Sequence, residues 1–206
     1  MRFRDLNRER PVVEDFLTNI DPEDIFYDIG ANVGTYSCFA AAKLGPGRTI
    51  SFEPEPKNAE HLRKNLEMNG LEAEIVQIAL SDTDGTANLA LTGDEAGEGE
   101  HAIATGDNDH TLKVQTARGD SIIKKRGLSK PTVVKIDVEG AELSVLRGLQ
   151  DTLHESCRLV YVEVHPEKIE DFGGKASEVE SLLIDVGFEV TEISHRRSEV
   201  FLRASK

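Results

Sequence analysis

Two cysteines are all that the 206-residue chain contains, Cys38 and Cys157, far apart and without a neighbouring Cys or His at metal-ligand spacing. That scarcity excludes a disulfide framework and argues against a zinc site. Long apolar runs are also missing. The first twenty residues, MRFRDLNRERPVVEDFLTNI, alternate charge with scattered apolar side chains and hold no export core, and no later stretch reaches membrane-spanning length. The expectation is a cytoplasmic protein. Positive charge is short as well: Lys plus Arg number 24 against 38 Asp plus Glu, a net charge of -14. Such a chain opposes binding to nucleic acid or to an anionic membrane surface, which leaves a small or neutral partner. The acidity fits the solvated surface of a salt-adapted protein and equally an ordinary acidic cytosolic enzyme.

The length suits one domain, 1–206, with an N-terminal segment over 1–24. From residue 22 onward, short β-branched or aromatic runs alternate with helical stretches, the pattern of an open sheet covered by helices. Strands are expected at 25–30, 48–54, 73–81, 131–137 and 158–166, and helices at 35–45, 57–70, 140–153 and 177–188. The strand at 86–92 should return antiparallel after the SDTDG turn, another should cover 111–116, and DSIIKKRG reads as a short helix. FEVTEIS and SEVFLRAS should close the chain as an antiparallel pair. Residues 93–110 carry four glycines and six carboxylates without periodicity and read as a mobile acidic insertion. The fold class expected is α/β, a doubly wound sheet of about seven strands.

In such a sheet ligands bind beyond the carboxyl ends of the strands, and the first strand-to-helix turn lies there. That turn is Asp28-Ile29-Gly30-Ala31-Asn32-Val33-Gly34. A dinucleotide fingerprint would place glycine at the centre, where backbone must approach a pyrophosphate, but Asn32 stands there. The ligand is therefore one without a diphosphate, which argues against a nicotinamide oxidoreductase. Glu53 ends the second strand, 23 residues after Gly30. There a carboxylate accepts both hydroxyls of a ribose, a reading that its place after an apolar strand and before Pro54 favours over one more surface carboxylate.

DIGANVGTYS, SFEPEPKNAEHLRKNL, ALSDTDGTANL and VVKIDVEGAELSVLRGL, in this order and spacing, resemble the FkbM family of S-adenosylmethionine-dependent methyltransferases over about residues 25–165. The resemblance implies the class I methyltransferase fold, with the last strand antiparallel, and methyl transfer to a hydroxyl of a sugar or natural-product acceptor. It implies that Asp28, Gly30, Asn32 and Gly34 hold the methionine part of the cofactor, Glu53 its ribose, and Ala79-Leu80-Ser81-Asp82 the adenine edge. The residues agree in kind, because S-adenosylmethionine has an ammonium for Asp28 and no phosphate. Asp82 is as well explained as a turn residue.

An alcohol acceptor must lose a proton, and a positioned base contributes about 10²- to 10⁴-fold. Two groups sit at strand ends: Lys135, Asp137 and Glu139, which share a face if the strand stays extended, and Glu163 with His165. Asp137 is expected as base or as orienter of the sulfonium end, a role that the resemblance also favours, and His165 as a proton acceptor near neutral pH. Lys135 contacts either substrate or a neighbouring carboxylate. Glu142 reads as helix N-terminal charge. Asp137 and Glu163 could hold a divalent metal, but their spacing does not demand it, and none is expected. Few residues precede Asp28 to cover an acceptor, so another copy of the chain could close the site. The alternatives in function are methylation of nitrogen or carbon and a non-catalytic nucleotide-binding module.

Overall fold

The computed structural model describes residues 3–90, 102–103, 111–196 and 198–206. The elements are α1 (Phe3–Asn19), β1 (Phe26–Ile29), α2 (Thr35–Leu44), β2 (Thr49–Phe52), α3 (Pro56–Met68), β3 (Glu74–Val76), β4 (Ala79–Ser81), β5 (Gly85–Ala90) and β6 (Ala102–Ile103). They continue with β7 (Thr111–Arg118), α4 (Gly119–Arg126), β8 (Val133–Ile136), α5 (Glu142–Gly148), α6 (Gln150–Glu155), β9 (Leu159–Val164), α7 (Pro166–Asp171), α8 (Ala176–Asp185), β10 (Glu189–Arg196) and β11 (Glu199–Ser205).

Every residue of β1, β2, β8 and β9 is buried, because helices cover both faces and each side chain, whichever way it points, meets apolar surface. On one face Tyr27, Ile29, Val134, Ile136 and Val162 pack with Leu143, Leu146, Leu149 and Leu183 of α5, α8 and the residue between α5 and α6. On the other, Phe26, Val133, Leu159 and Tyr161 pack with Phe16 of α1 and Tyr36, Ala40 and Leu44 of α2. The strand order is β10-β11-β9-β8-β1-β2-β3, parallel except at β11, which runs antiparallel to both β9 and β10. Direction of winding reverses between β1 and β8, so their carboxyl ends open the crevice that this topology reserves for ligands.

The strand expected over 73–81 is two strands in two sheets. Val76 accepts a hydrogen bond from the Ile78 N–H (2.9 Å), a three-residue turn that carries β4 out of the first sheet to pair in parallel with β7, Leu80 opposite Ala117. With β5 and β6 this makes a second sheet, β4-β7-β5-β6; β5 does return antiparallel after the SDTDG turn, but its partner is β7, which lies between it and β4. Of the insertion at 93–110, only 102–103 falls within the described residues, as β6.

The helix expected over 140–153 is also two. It breaks after Gly148, where a Cβ would lie 1.9 Å from the Ser81 carbonyl oxygen. The Asp120 carboxylate accepts the Asp151 and Thr152 N–H groups (3.2 and 3.0 Å) and so caps α6. The amphipathic piece before β1 belongs to the 17-residue helix α1. Asp15 of α1 accepts from the Tyr161 hydroxyl (2.7 Å) and pairs with Arg203 (2.8 Å). Among the described residues no helix is long and apolar enough to cross a membrane.

Candidate active site

The glycine turn after β1 is shaped by close approach. Gly30 has φ +79°, and a Cβ on it would stand 1.8 Å from the Asp137 carbonyl oxygen; on Gly34, φ +91°, it would meet Leu62 at 2.0 Å. Asn32, between them, is left-handed without being glycine, φ +51°, a conformation that asparagine tolerates best among larger residues. Its N–H donates to Glu53 Oε2 (2.7 Å), while Glu53 Oε1 accepts from the Glu55 N–H (2.9 Å). The end of β2 is thus tied to the turn after β1. Burial outweighs these two hydrogen bonds and pushes Glu53 up to about 7.

Behind the turn, Asp28 is 1% exposed; one oxygen accepts from the Ser37 hydroxyl (2.6 Å), and the other has no partner among the described residues. Burial raises its pKa, against the pull of Lys135 and Ser37. A buried carboxylate oxygen and the Asn32 Oδ1, also buried and unpartnered, suit donors such as an ammonium or amide N–H.

A cleft of about 670 Å³, open to solvent, runs along these strand ends, lined by Gly30, Asn32, Glu53, Asp137 and Glu139 on its polar side. Ile29, Phe52, Ile78, Leu80, Leu89 and Val138 line its apolar side. Ala79 and Leu80, expected at the adenine edge, line it. Ser81 and Asp82 do not: the Ser81 carbonyl packs against Gly148, and its hydroxyl is 3.4 Å from Asp82 Oδ1.

The five groups from the ends of β8 and β9 come together as one cluster. Lys135 Nζ, 4% exposed, pairs with Asp137 (3.0 Å) and lies 4.6 Å from the Tyr36 ring centroid. Burial pushes Lys135 down, but the carboxylates of Asp137 and Asp28 outweigh it and the net shift is upward. Burial pushes Asp137 up, and Lys135 and His165 more than reverse it, so this carboxyl stays below the ordinary range. Glu163, buried and repelled by Asp137, is pushed up to about 9 and bonds to Arg196 (3.1 Å).

The expectation that Lys135, Asp137 and Glu139 share a strand face fails at its last member. β8 ends at Ile136, and Glu139 turns left-handed (φ +56°) before Gly140 (φ +107°), so it reaches the cluster from a turn. Its Oε2 faces His165 Nε2 (3.2 Å) and pairs with Lys168. Glu142 does stand in the first turn of a helix as expected, yet it is fully buried, and Oε1 takes the Gly140 N–H (3.0 Å) and faces His165 Nδ1 (2.7 Å). Desolvation pushes His165 down, and the Glu142 hydrogen bond with the Asp137 and Glu139 charges raises it to about 9. Donor atoms of Asp137, Glu163 and His165 lie within 4.8 Å of one another, close enough to share a cation. Lys135 already lies against Asp137 (3.0 Å) and Arg196 against Glu163 (3.1 Å), so an ion would compete with two resident cations.

Tyr36, Ser37, Glu142 and Arg196 were not anticipated as members of this site. Tyr36 and Ser37 follow the glycine turn directly in the first turn of α2, a position that points to them in retrospect, whereas Arg196 lies 33 residues from its partner Glu163.

The strand order with its reversed last strand, the glycine turn and the carboxylate ending β2 define a class I, Rossmann-like methyltransferase fold. Solved structures agree on the fold: methyltransferase FkbM from Methylobacillus flagellatus superposes with TM-score 0.63 at 15% identity, covering 90% of this chain and 44% of that one. Streptococcus pneumoniae Sp1610, solved with S-adenosyl-L-methionine, superposes with TM-score 0.55 at 12% identity, covering 94% and 71%. The chain belongs to the FkbM methyltransferase family, whose domain model, Methyltransferase FkbM domain, matches residues 28–190. Similar curated proteins are the hexuronic acid methyltransferase AglP of Haloferax volcanii, 31% identical over 80% of this chain and 65% of that protein, and the 31-O-demethyl-FK506 methyltransferase FkbM of Streptomyces tacrolimicus, 29% identical over 82% and 74%. The chain thus spans just under two thirds of the length of the Haloferax relative.

Proposed function

We propose that this protein is an S-adenosylmethionine-dependent methyltransferase acting on an oxygen of a sugar or other small natural-product acceptor. The observation that carries the reading is the junction of Gly30, Asn32 and Glu53: a turn cleared of side chains beside the Asp137 carbonyl, facing a carboxylate oriented by two backbone N–H groups. Glu53 would accept the two ribose hydroxyls, the apolar side of the cleft would take the adenine, and Asp28 with the turn would receive the amino-acid end. Bound there, S-adenosylmethionine supplies an electrophilic methyl on a sulfonium that becomes neutral on transfer.

Asp137, kept ionised by Lys135, faces that cationic end, and a neighbouring carboxylate on the cleft takes the acceptor proton. Holding the acceptor in line, about 3–3.5 Å from the methyl carbon, supplies much of the rate. The relatives, named for a hexuronic acid and for 31-O-demethyl-FK506, support a small oxygen acceptor. The net charge of -14 supports a partner that is neither nucleic acid nor an anionic membrane, and we take the setting to be cytoplasmic. We take residues 1–206 as one domain, with a second copy of the chain as a further cover for the acceptor. Labelled methyl transfer to hexose and hexuronic acid glycosides tests this. Labelled O-methyl product supports it, and an amine or carbon acceptor methylated instead, with activity surviving loss of the cluster carboxylates, overturns it.

A further inference from the structure

We propose that Glu139 is the group that receives the acceptor's proton, and that Glu142 and His165 form the buried support that fixes it at the lip of the cleft. The inference deepens the O-methyl transfer reading and rests on it.

Three observations carry it. First, Glu139 lines the cleft from a left-handed backbone position, φ +56°, a strained conformation for a residue with a side chain and one that persists only where its surroundings hold it. Second, the holding is visible. Glu142, fully buried at the start of α5, uses one oxygen both for the Gly140 N–H (3.0 Å), which pins the turn, and for His165 Nδ1 (2.7 Å), which pins the ring. The far side of that ring, Nε2, faces Glu139 Oε2 at 3.2 Å, and Lys168 pairs with the same oxygen. Each ring nitrogen thus meets a carboxylate, so the imidazole serves as donor to both and offers no lone pair to a substrate. Third, of the other two carboxylates on the cleft, Glu53 takes the Asn32 and Glu55 N–H groups, one on each oxygen, and Asp137 is paired with Lys135 at 3.0 Å, whereas the contacts of Glu139 with His165 and Lys168 both fall on Oε2.

The electrostatics agree with the division of roles. Asp137 is held below the carboxylate range, while burial and the Asp137 charge raise Glu139. Two carboxyls pushed apart in this way separate a permanent charge from a proton acceptor. In the transfer, an acceptor oxygen lone pair forms the O–C bond as the C–S bond breaks and its electron pair passes to sulfur. The hydroxyl proton moves to Glu139, which is 21% exposed and returns it to solvent after product leaves. The groups around His165 are Glu142 of α5, Glu139 on the turn, Lys135 and Asp137 at the end of β8, Glu163 of β9 with its partner Arg196 of β10, and Lys168 of α7.

The test uses the whole chain in two arms. In the first, with ¹⁵N-labelled histidine and S-adenosylhomocysteine present, His165, one of six histidines, should carry protons on both nitrogens at neutral pH. Glu142→Gln should lower its titration midpoint by at least about one pH unit, leaving the other five unchanged; an unmoved midpoint overturns the support. In the second arm, methyl transfer to methyl β-D-glucopyranoside and methyl β-D-glucuronide is followed against pH. Glu139→Gln should lower kcat about 10²-fold or more and abolish its acid limb, with Glu139→Asp recovering part of the rate. Glu142→Gln should shift that limb. A Glu139→Gln enzyme that keeps the wild-type kcat and acid limb overturns the base assignment. A wild-type chain that methylates neither sugar overturns that assignment together with the reading beneath it, while the first arm still decides the support.

Discussion

The Asp137 carbonyl oxygen occupies the space where a side chain on Gly30 would begin, 1.8 Å from the Cβ position. The ends of β1 and β8, distant in sequence, are thereby locked across the crevice.

Gly30→Ala should be costly on two counts, a collision with rigid backbone and a left-handed φ of +79°. We expect a loss of about 3 kcal/mol or more in unfolding free energy by denaturant titration. Cofactor affinity should fall with it. A variant with wild-type stability would mean that the turn and β8 separate freely.

Glu53→Ala should leave the fold in place and lower S-adenosylhomocysteine affinity about 10- to 100-fold, the effect of losing one or two hydrogen bonds to a charged acceptor. Because burial brings Glu53 to about 7, wild-type affinity should rise as pH climbs from 5.5 to 8 and the ligand-ready carboxylate forms. Calorimetry in two buffers of different ionisation enthalpy would reveal the released proton. Identical heats in both would remove the ribose role.

Glu163 holds its proton up to about 9 in the folded chain, against an ordinary value of 4.5. The folded state therefore binds more protons than the unfolded one across that window, and stability falls as pH rises through it. His165 adds in the same direction: with its pKa raised from 6.5 to about 9, its contribution is complete below 6.5 and lost as pH passes 9. Glu163→Gln, which cannot ionise, should reduce the loss of stability between pH 6 and pH 9 by at least about 1 kcal/mol. Parallel curves for the two proteins would refute this account of the cluster.

Phe16 is fully buried and touches Phe26, Tyr36 and Tyr161 with ring centroids 4.9, 5.5 and 5.6 Å away. Phe16→Ala should cost about 3–5 kcal/mol. Hydrogen exchange of α1 should accelerate before that of the central strands, since this ring, with Val12 and Val13, packs α1 on the edge of the core and Asp15 ties it to β9 and β11.

What could be read from the sequence is what local pattern encodes. The buried runs of β1, β8 and β9, the glycine turn and Glu53 at the end of β2 all announce themselves by composition and punctuation within a few residues. What could not be read depends on contacts between distant segments. The division of 73–81 between two sheets is decided by pairing with β7, and the break after Gly148 by the Ser81 carbonyl. Glu142 looked like ordinary helix N-terminal charge because its partner His165 lies 23 residues on. Glu139 reaches the cluster from a left-handed turn rather than along an extended strand, a reversal that no local pattern marks apart from Gly140.

Calorimetric titration of the intact chain with S-adenosylhomocysteine and, separately, with NAD tests the central claim most directly. The account predicts saturable one-to-one binding of S-adenosylhomocysteine, weakened by Glu53→Ala, and no saturable binding of NAD, whose pyrophosphate meets Asn32 where a glycine would be needed. Saturable binding of NAD with none of S-adenosylhomocysteine would contradict it.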